Sequence, residues 1–260
     1  MTNNNKLFWE INSQNILNSL QSRVTPPITY IEKEYILDFN QKEILHLFCN
    51  FGLTSFYLEN LGGRVTGVDY NEYAISYANI RKSGLGSEVN FICSDFFELD
   101  NKKSYDIIYG SYGVLDWVEN IDTFINKIDS LLKTEGRFIF IEYHSDLFKL
   151  KFEQLNGIKI SENQYKIPTN YIHRTNEHMS SLMGGGFTKE ESVYMYPFLH
   201  NTDIFLNKLN NAGFRQKKLN FYDHINFKMG HSMTIGSNMY RNAFLKDGEY
   251  MCYGIEYQKV

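Results

Sequence analysis

The sequence predicts an α/β domain built on a doubly wound parallel sheet, and three observations carry that reading. Five short apolar runs, at 44–48, 64–69, 89–94, 105–110 and 137–143, are hydrophobic almost throughout instead of alternating, which is the composition of strands covered on both faces. Stretches with helical spacing (53–61, 71–83 and 119–133) separate them, so consecutive strands have crossovers of helical length. The first run passes through the turn Phe48-Cys49-Asn50-Phe51-Gly52 into one of those helices, and open parallel sheets bind ligands at such carboxyl ends of strands.

The elements follow in order. Residues 1–40 form a helical preface, with Leu7, Phe8, Ile11, Ile16, Leu17 and Leu20 on one stripe and Pro26-Pro27 ending it. The strand and helix runs then alternate from 44 to 143, and Gly136 fits a stop for the helix before the fifth strand. After 143 the rhythm lapses. Residues 144–200 are predicted as a loop-rich lid or substrate wall, hinged at Gly184-Gly185-Gly186. A helix returns over 202–213, with Thr202 as its N-cap and Gly213 as its stop, and β-like segments at 214–223 and 248–258 flank a long loop. The predicted organisation is therefore 1–143 as preface and ligand-binding half, 144–200 as insertion, and 201–260 as the rest of the same domain.

Bulk properties narrow the function classes. The chain has 260 residues, 43% of them hydrophobic and 22% charged, ordinary values for one globular α/β domain. Its net charge is −4 and its densest basic piece is only Arg215-Gln216-Lys217-Lys218, so no nucleic-acid partner is expected. No apolar stretch is long enough for a membrane span, and the start, "MTNNNKLFWEINSQN", lacks a signal peptide's apolar core. Three cysteines without metal-ligand spacing suggest reduced thiols, a cytoplasmic location and no metal. Monomer and homodimer are equally open.

The polar residues at the strand ends suggest a nucleoside site. Asp69 ends the second run, where a carboxylate can accept from both ribose hydroxyls, although it could equally cap the helix that begins at "YNEYAISYA". Ser94-Asp95-Phe96 follows the third run: Asp95 could accept from an exocyclic amine or serve a turn, and Phe96 or Tyr70 could cover a purine face. The segment Gly110-Ser111-Tyr112-Gly113-Val114-Leu115-Asp116-Trp117 after the fourth run is too polar and aromatic for a plain connection.

Residues 44–143 resemble class I S-adenosylmethionine-dependent methyltransferases. "ILHLFCNFGLTSFYLENLGGRVTGVDYNEYAISYA", "FICSDFFEL" and "YDIIYGSYGVLDWVENIDTFINKIDSLLKTEGRFIFIEYH" stand in that family's order and spacing. The His-Leu-x-Cys-x-Phe-Gly form of the loop, and more loosely His200-Asn201-Thr202-Asp203, are similar to bacterial small-molecule methyltransferases. The family's usual loop is acidic-x-Gly-x-Gly-x-Gly; here His46 stands at the acidic position, Phe48 and Asn50 at the first two glycines, and Gly52 at the third. The resemblance implies a Rossmann-like, seven-stranded, mostly parallel sheet with an antiparallel last strand and a lid insertion. It also implies S-adenosylmethionine as cofactor, S-adenosylhomocysteine as product and a small-molecule acceptor methylated on oxygen or nitrogen. Carried onto this sequence, Gly52 and the backbone of Cys49, Asn50 and Phe51 would line the methionine moiety and Asp69 would hold the ribose. Tyr70 and Phe96 would cover the ring, Asp95 would read its amine, Ser111 and Tyr112 would lie beside the sulfonium, and His46 and Ser94 would be further cofactor-binding residues.

Methyl transfer is an in-line displacement that needs alignment and a dry site, with a base only where the nucleophile starts protonated. His144, His200 and Tyr112 are the catalytic candidates, and Trp117, Tyr196 and His200 the acceptor-binding ones. His173 and His178 lie within the insertion, whose Tyr165, Tyr171, Tyr194 and Phe198 could also wall the acceptor. For each histidine the plainer reading is a structural role, and for the insertion's aromatics it is core packing. Two other functions compete. A nicotinamide-dependent oxidoreductase would use Asp69 in the same way, but "CNFGLTS" lacks G-x-G-x-x-G. A non-catalytic nucleoside-binding scaffold would account for the altered loop.

Overall fold

A computed structural model describes Asn5, Phe8, Trp9, Ser13 and residues 28–100, 102–154, 157–168, 194–227, 232–237 and 239–260. Its centre is a seven-stranded sheet in the order β3-β2-β1-β4-β5-β12-β9. The parallel strands are β1 (Glu43–Leu47), β2 (Arg64–Asp69), β3 (Asn90–Cys93), β4 (Tyr105–Ser111) and β5 (Leu132–Tyr143). β12 (Cys252–Lys259) runs antiparallel to both β5 and β9 (Phe214–Tyr222), so the last strand is the reversed one. The C-terminal strands thus complete the sheet begun at residue 43.

Helices cover both faces. α1 (Tyr30–Lys33), α2 (Leu53–Asn60), α3 (Glu72–Leu85) and α4 (Ile121–Leu131) precede α5 (Ser145–Gln154) and α6 (Thr202–Asn211). Successive residues of β5 feed opposite cores: Phe138 and Phe140 pack with Phe124 and Phe205 from the helices on one side, and Ile139 and Ile141 with Ile31, Tyr35 and Ile44 on the other. That two-sided burial is what made the runs continuously apolar.

Several boundaries differ from expectation for local reasons. Asn71 caps α3 through Ala74 N, because Asp69 already accepts from the Asn71 amide. Asn201, not Thr202, caps α6, while the Thr202 hydroxyl accepts from Ser145 N at 3.1 Å. α4 stops at Leu131, since Leu132 turns extended and the chain passes straight into β5; Gly136 lies inside that strand. The loop expected between the last two strands contains a hairpin, β10 (Ser232–Gly236) with β11 (Met239–Asn242). The described residues of the insertion include α5 and a small sheet of β6 (Ile158–Lys159), β7 (Tyr165–Pro168) and β8 (Tyr194–Met195). Gly184-Gly185-Gly186, Tyr171, His173, His178 and most of the N-terminal stripe lie outside the described residues.

One close approach fixes β12. The buried Tyr35 ring lies over Gly254, its hydroxyl donating to the Gly254 carbonyl at 2.8 Å, and a Cβ at Gly254 would stand 2.5 Å from two ring carbons. Gly254→Ala is expected to destabilise the fold by about 1–3 kcal/mol through overpacking. Urea denaturation checks this; an unchanged midpoint would mean that the ring moves aside freely.

Candidate cofactor and acceptor site

The loop after β1 is wound left-handed at alternate positions: Phe48, Asn50 and Gly52 have φ of 49°, 50° and 74°. Those are the three positions at which the resembling family carries glycine, so the loop keeps a glycine backbone with two side chains added. A left-handed non-glycine residue costs about 1–2 kcal/mol. For Phe48 this is offset by contact with Phe96, ring centroids 6.2 Å apart. At Gly52 no side chain fits, since a Cβ would meet Phe91 Cζ at 2.5 Å.

Asp69 ties this loop to the end of β2. Its two carboxylate oxygens accept from Asn50 N and Asn71 N, each at 2.9 Å. Desolvation raises its pKa from 3.8 to about 6, partly opposed by those backbone donors. Each oxygen keeps a second lone pair for a ligand hydroxyl.

Two adjoining cavities open at this edge. One lies over Asp69, Tyr70, Ser94, Asp95, Phe96 and Phe97. The other, the larger of the two, lies between Trp9, Asn50, Ser111, Tyr112, Gly113 and Trp117. Phe48, Asp69, Tyr70 and Trp117 line both, so they form one elongated site. Asp95 Oδ1 accepts from Phe97 N at 3.1 Å, capping a short 3-10 turn at Phe96–Glu98. The Oδ1 of Asn50 is buried with no hydrogen-bond partner, and a buried polar atom left in that state calls for a donor from a ligand or water.

The far wall is held by Glu142. This fully buried carboxylate near the end of β5 accepts from the backbone N of Gly113, Val114, Leu115 and Tyr143 at 2.5–3.0 Å. It clamps the turn that follows Tyr112, which itself sits at φ 46°. A lone carboxylate inside the apolar run "RFIFIEY" was the sequence signal for it, since a buried charge must find donors.

Asn50, Asp69, Tyr70, Ser94, Asp95, Phe96, Ser111 and Trp117 line the two cavities, whereas Gly52 lies in the loop but in neither lining. The side chains of His46 and Cys49 do not line them. His46 is buried behind the loop with Nδ1 2.7 Å from Ser55 Oγ, and desolvation lowers its pKa to about 3, so it is a neutral anchor for α2. The Cys49 thiol packs over Gly67, with the place of a Gly67 Cβ 2.9 Å from its sulfur, so only its backbone serves the loop. Tyr112 lines the cavity, but its hydroxyl is 3.4 Å from Thr29 Oγ1, and burial pushes the phenol well above its ordinary pKa, which removes it as a base.

The histidine candidates have structural partners. His144 turns towards Phe221, Tyr250 and Tyr253 and pairs with Asp146 at 3.0 Å, away from both cavities. Burial lowers its pKa, with Asp146 opposing. His200 is fastened to the Val118 carbonyl at 2.6 Å and stacks on Phe198. Tyr196 lies outside the cavity linings; its backbone N and O pair with the Asn5 side chain at 2.8 and 3.0 Å. Phe48, which stands at the first glycine position, lines both cavities, and Trp9 and Phe97 add to the walls without having been singled out. For Trp9 no spacing rule connects position 9 to strand ends more than fifty residues away. Among the described residues no group of His, Cys, Asp and Glu is arranged to hold a metal ion.

Comparison with known proteins agrees with this geometry. A family model described as a methyltransferase domain matches residues 38–198. The ubiquinone biosynthesis O-methyltransferase of Rickettsia typhi is 29% identical over 143 residues, 52% of this chain and 56% of its own length. Malonyl-[acyl-carrier protein] O-methyltransferase 2 of Ilyobacter polytropus is 26% identical over 133 residues, 50% of this chain and 49% of its own length. The chain spans about half the length of these curated relatives. Two solved structures share the fold. A SAM-dependent methyltransferase of Methanosarcina mazei superposes with a TM-score of 0.59 at 18% identity, covering 88% of this chain and 96% of its own. Magnesium protoporphyrin IX methyltransferase of Synechocystis PCC 6803, with bound SAH, gives 0.58 at 12% identity, covering 97% and 96%.

Proposed function

This chain belongs to the methyltransferase-domain family, and from that premise we propose that it methylates a small-molecule acceptor with S-adenosylmethionine, releasing S-adenosylhomocysteine. The observation that carries the reading is Asp69, bridging the left-handed loop and the end of β2 while facing the cavity. The orphaned Oδ1 of Asn50 fits the cofactor's amino acid end, because an ammonium there would supply the missing donor.

The bound cofactor would supply an electrophilic methyl group on a sulfonium. The chain's own part is to bind, orient and exclude water. Asp69 would accept from the ribose hydroxyls and Asp95 from the adenine amine, and Tyr70 and Phe96 would cover the base. Trp9, Tyr112 and Trp117 wall the acceptor half, where a dry, fixed geometry lowers the barrier to an in-line displacement. Oxygen is the favoured nucleophile, since the curated relatives named above are O-methyltransferases. Among the described residues no helix is long and apolar enough to cross a membrane.

Calorimetry with S-adenosylhomocysteine and with NAD tests the proposal. Binding of the first alone supports it, binding of NAD would point to hydride transfer, and binding of neither would leave a scaffold. Asp95 offers a finer check. Asp95→Asn keeps the cap to Phe97 N but exchanges an acceptor for a donor. It is expected to weaken S-adenosylhomocysteine less than loss of Asp69 does, and to improve binding of the analogue with hypoxanthine in place of adenine. Equal affinities of the wild-type protein for the two bases would show that Asp95 does not read the amine.

A further inference from the structure

The acceptor half of the site has a wall that comes from outside the sheet. Asn5, Phe8, Trp9 and Ser13 are helical, and Trp9 among them lines the cavity. Four sets of contacts fix them. The Asn5 side chain donates to the Tyr196 carbonyl and accepts from its amide, and the Asn5 carbonyl accepts from the Tyr70 hydroxyl at 3.3 Å. Phe8 stacks on Trp117 with centroids 6.4 Å apart and planes at 20°. Ser13 Oγ accepts from Asn71 Nδ2 at 2.6 Å and donates to the Trp9 carbonyl at 2.5 Å. Trp9 then meets Trp117 edge to face, centroids 5.4 Å apart and planes at 73°. Both rings line the larger cavity.

Resting on the methyltransferase reading, we propose that Trp9 is a specificity-determining residue, which with Trp117 forms a rigid aromatic corner selecting a flat, uncharged, π-rich acceptor such as a phenol. Two perpendicular indole planes offer a face and an edge at once, the arrangement that aromatic rings favour. Rigidity follows from the contacts at Asn5, Phe8 and Ser13, so little side-chain freedom is lost when the acceptor enters. A cationic acceptor would also favour indole faces. Two features oppose it. The carboxylate lining this cavity, Asp69, already holds two backbone amides and faces the ribose position. A cationic acceptor would also lie beside the sulfonium, where like charges a few ångströms apart repel strongly in a site poor in water.

The test is calorimetry on the full chain saturated with S-adenosylhomocysteine, using 2-naphthol and its saturated counterpart decahydro-2-naphthol as probes, and on the chain saturated with S-adenosylmethionine, where the sulfonium charge is present, using tetramethylammonium. The wild type is expected to bind 2-naphthol about tenfold or more tightly than either alternative. Trp9→Ala is expected to lose about tenfold for 2-naphthol with S-adenosylhomocysteine affinity nearly unchanged, and Trp9→Phe to recover most of the loss. Equal binding of the planar and saturated alcohols, or a preference for tetramethylammonium, overturns the proposal. So does a Trp9→Ala loss that falls on S-adenosylhomocysteine instead. If the wild type binds no S-adenosylhomocysteine, the methyltransferase reading falls, and the same probes on the free protein still decide whether Trp9 selects planar ligands.

Discussion

Replacing Asp69 by alanine is expected to weaken S-adenosylhomocysteine binding by more than tenfold. A charged acceptor for two ribose hydroxyls is worth roughly 1.5–3 kcal/mol. Alanine also frees the Asn50 and Asn71 amides that Asp69 now holds, so the left-handed loop loses its tie to β2. Asp69→Asn separates the two effects, since it keeps the shape and one acceptor. Acid should reproduce part of the loss. With a pKa of about 6 in the free protein against an ordinary 3.8, Asp69 takes up its proton between pH 6 and pH 4. For the free fold this is stabilising: the contribution is complete below pH 3.8 and is lost as pH rises through 6. For a ligand that reads the carboxylate the sign reverses, and affinity should fall by up to about tenfold per pH unit below 6. Calorimetry across pH 4.5–7.5 checks both; unchanged affinity in Asp69→Ala would remove Asp69 from the site.

The largest effect on stability is expected at Glu142. Glu142→Ala leaves the amides of Gly113, Val114, Leu115 and Tyr143 without their acceptor at a buried place. Each unmet buried donor costs about 1–3 kcal/mol, so a loss of about 3 kcal/mol or more is expected even after partial rescue by water. In a chain of this size that lowers Tm by roughly 6–12 °C. Glu142→Gln, with one acceptor oxygen, should fall between. The clamped turn carries Gly113 and Val114 at the cavity wall, so ligand affinity should fall in the same order. A loss below 1 kcal/mol in urea denaturation of Glu142→Ala would mean that these amides have other partners.

The sheet was legible because burial on both faces of β1, β2, β4 and β5 leaves an apolar run that periodicity detects. The candidate nucleoside end was legible for a related reason: Asp69 closes β2 and Asp95 lies two residues past β3, and residues at the end of a parallel strand have little choice of edge. The catalytic candidates fared differently. His144 also follows its strand, but position along the chain does not tell which way a side chain leaves the edge. The Asp146 carboxylate and the aromatic rings of β9 and β12 draw it to the opposite side. His200 is recruited by a carbonyl, that of Val118, which no side-chain pattern announces. Trp9 was invisible for want of any local rule, because its partner Trp117 is joined to it only by the folded chain. The cap assignments missed by one or two residues, at Asn71 and Asn201, because adjacent short polar residues compete for the same amides.

The pairing of Trp9 with Trp117 has an optical consequence. The chain contains two tryptophans, and both stand at one cavity within 5.4 Å of each other. Light absorbed by indole anywhere in this protein is therefore absorbed at the site, and the emission carries no background from a distant core. Trp9→Phe and Trp117→Phe each leave a single emitter, one on the helical cover and one on the sheet edge. Entry of a nucleoside or a flat alcohol can then be followed from each wall separately, in real time and without a label.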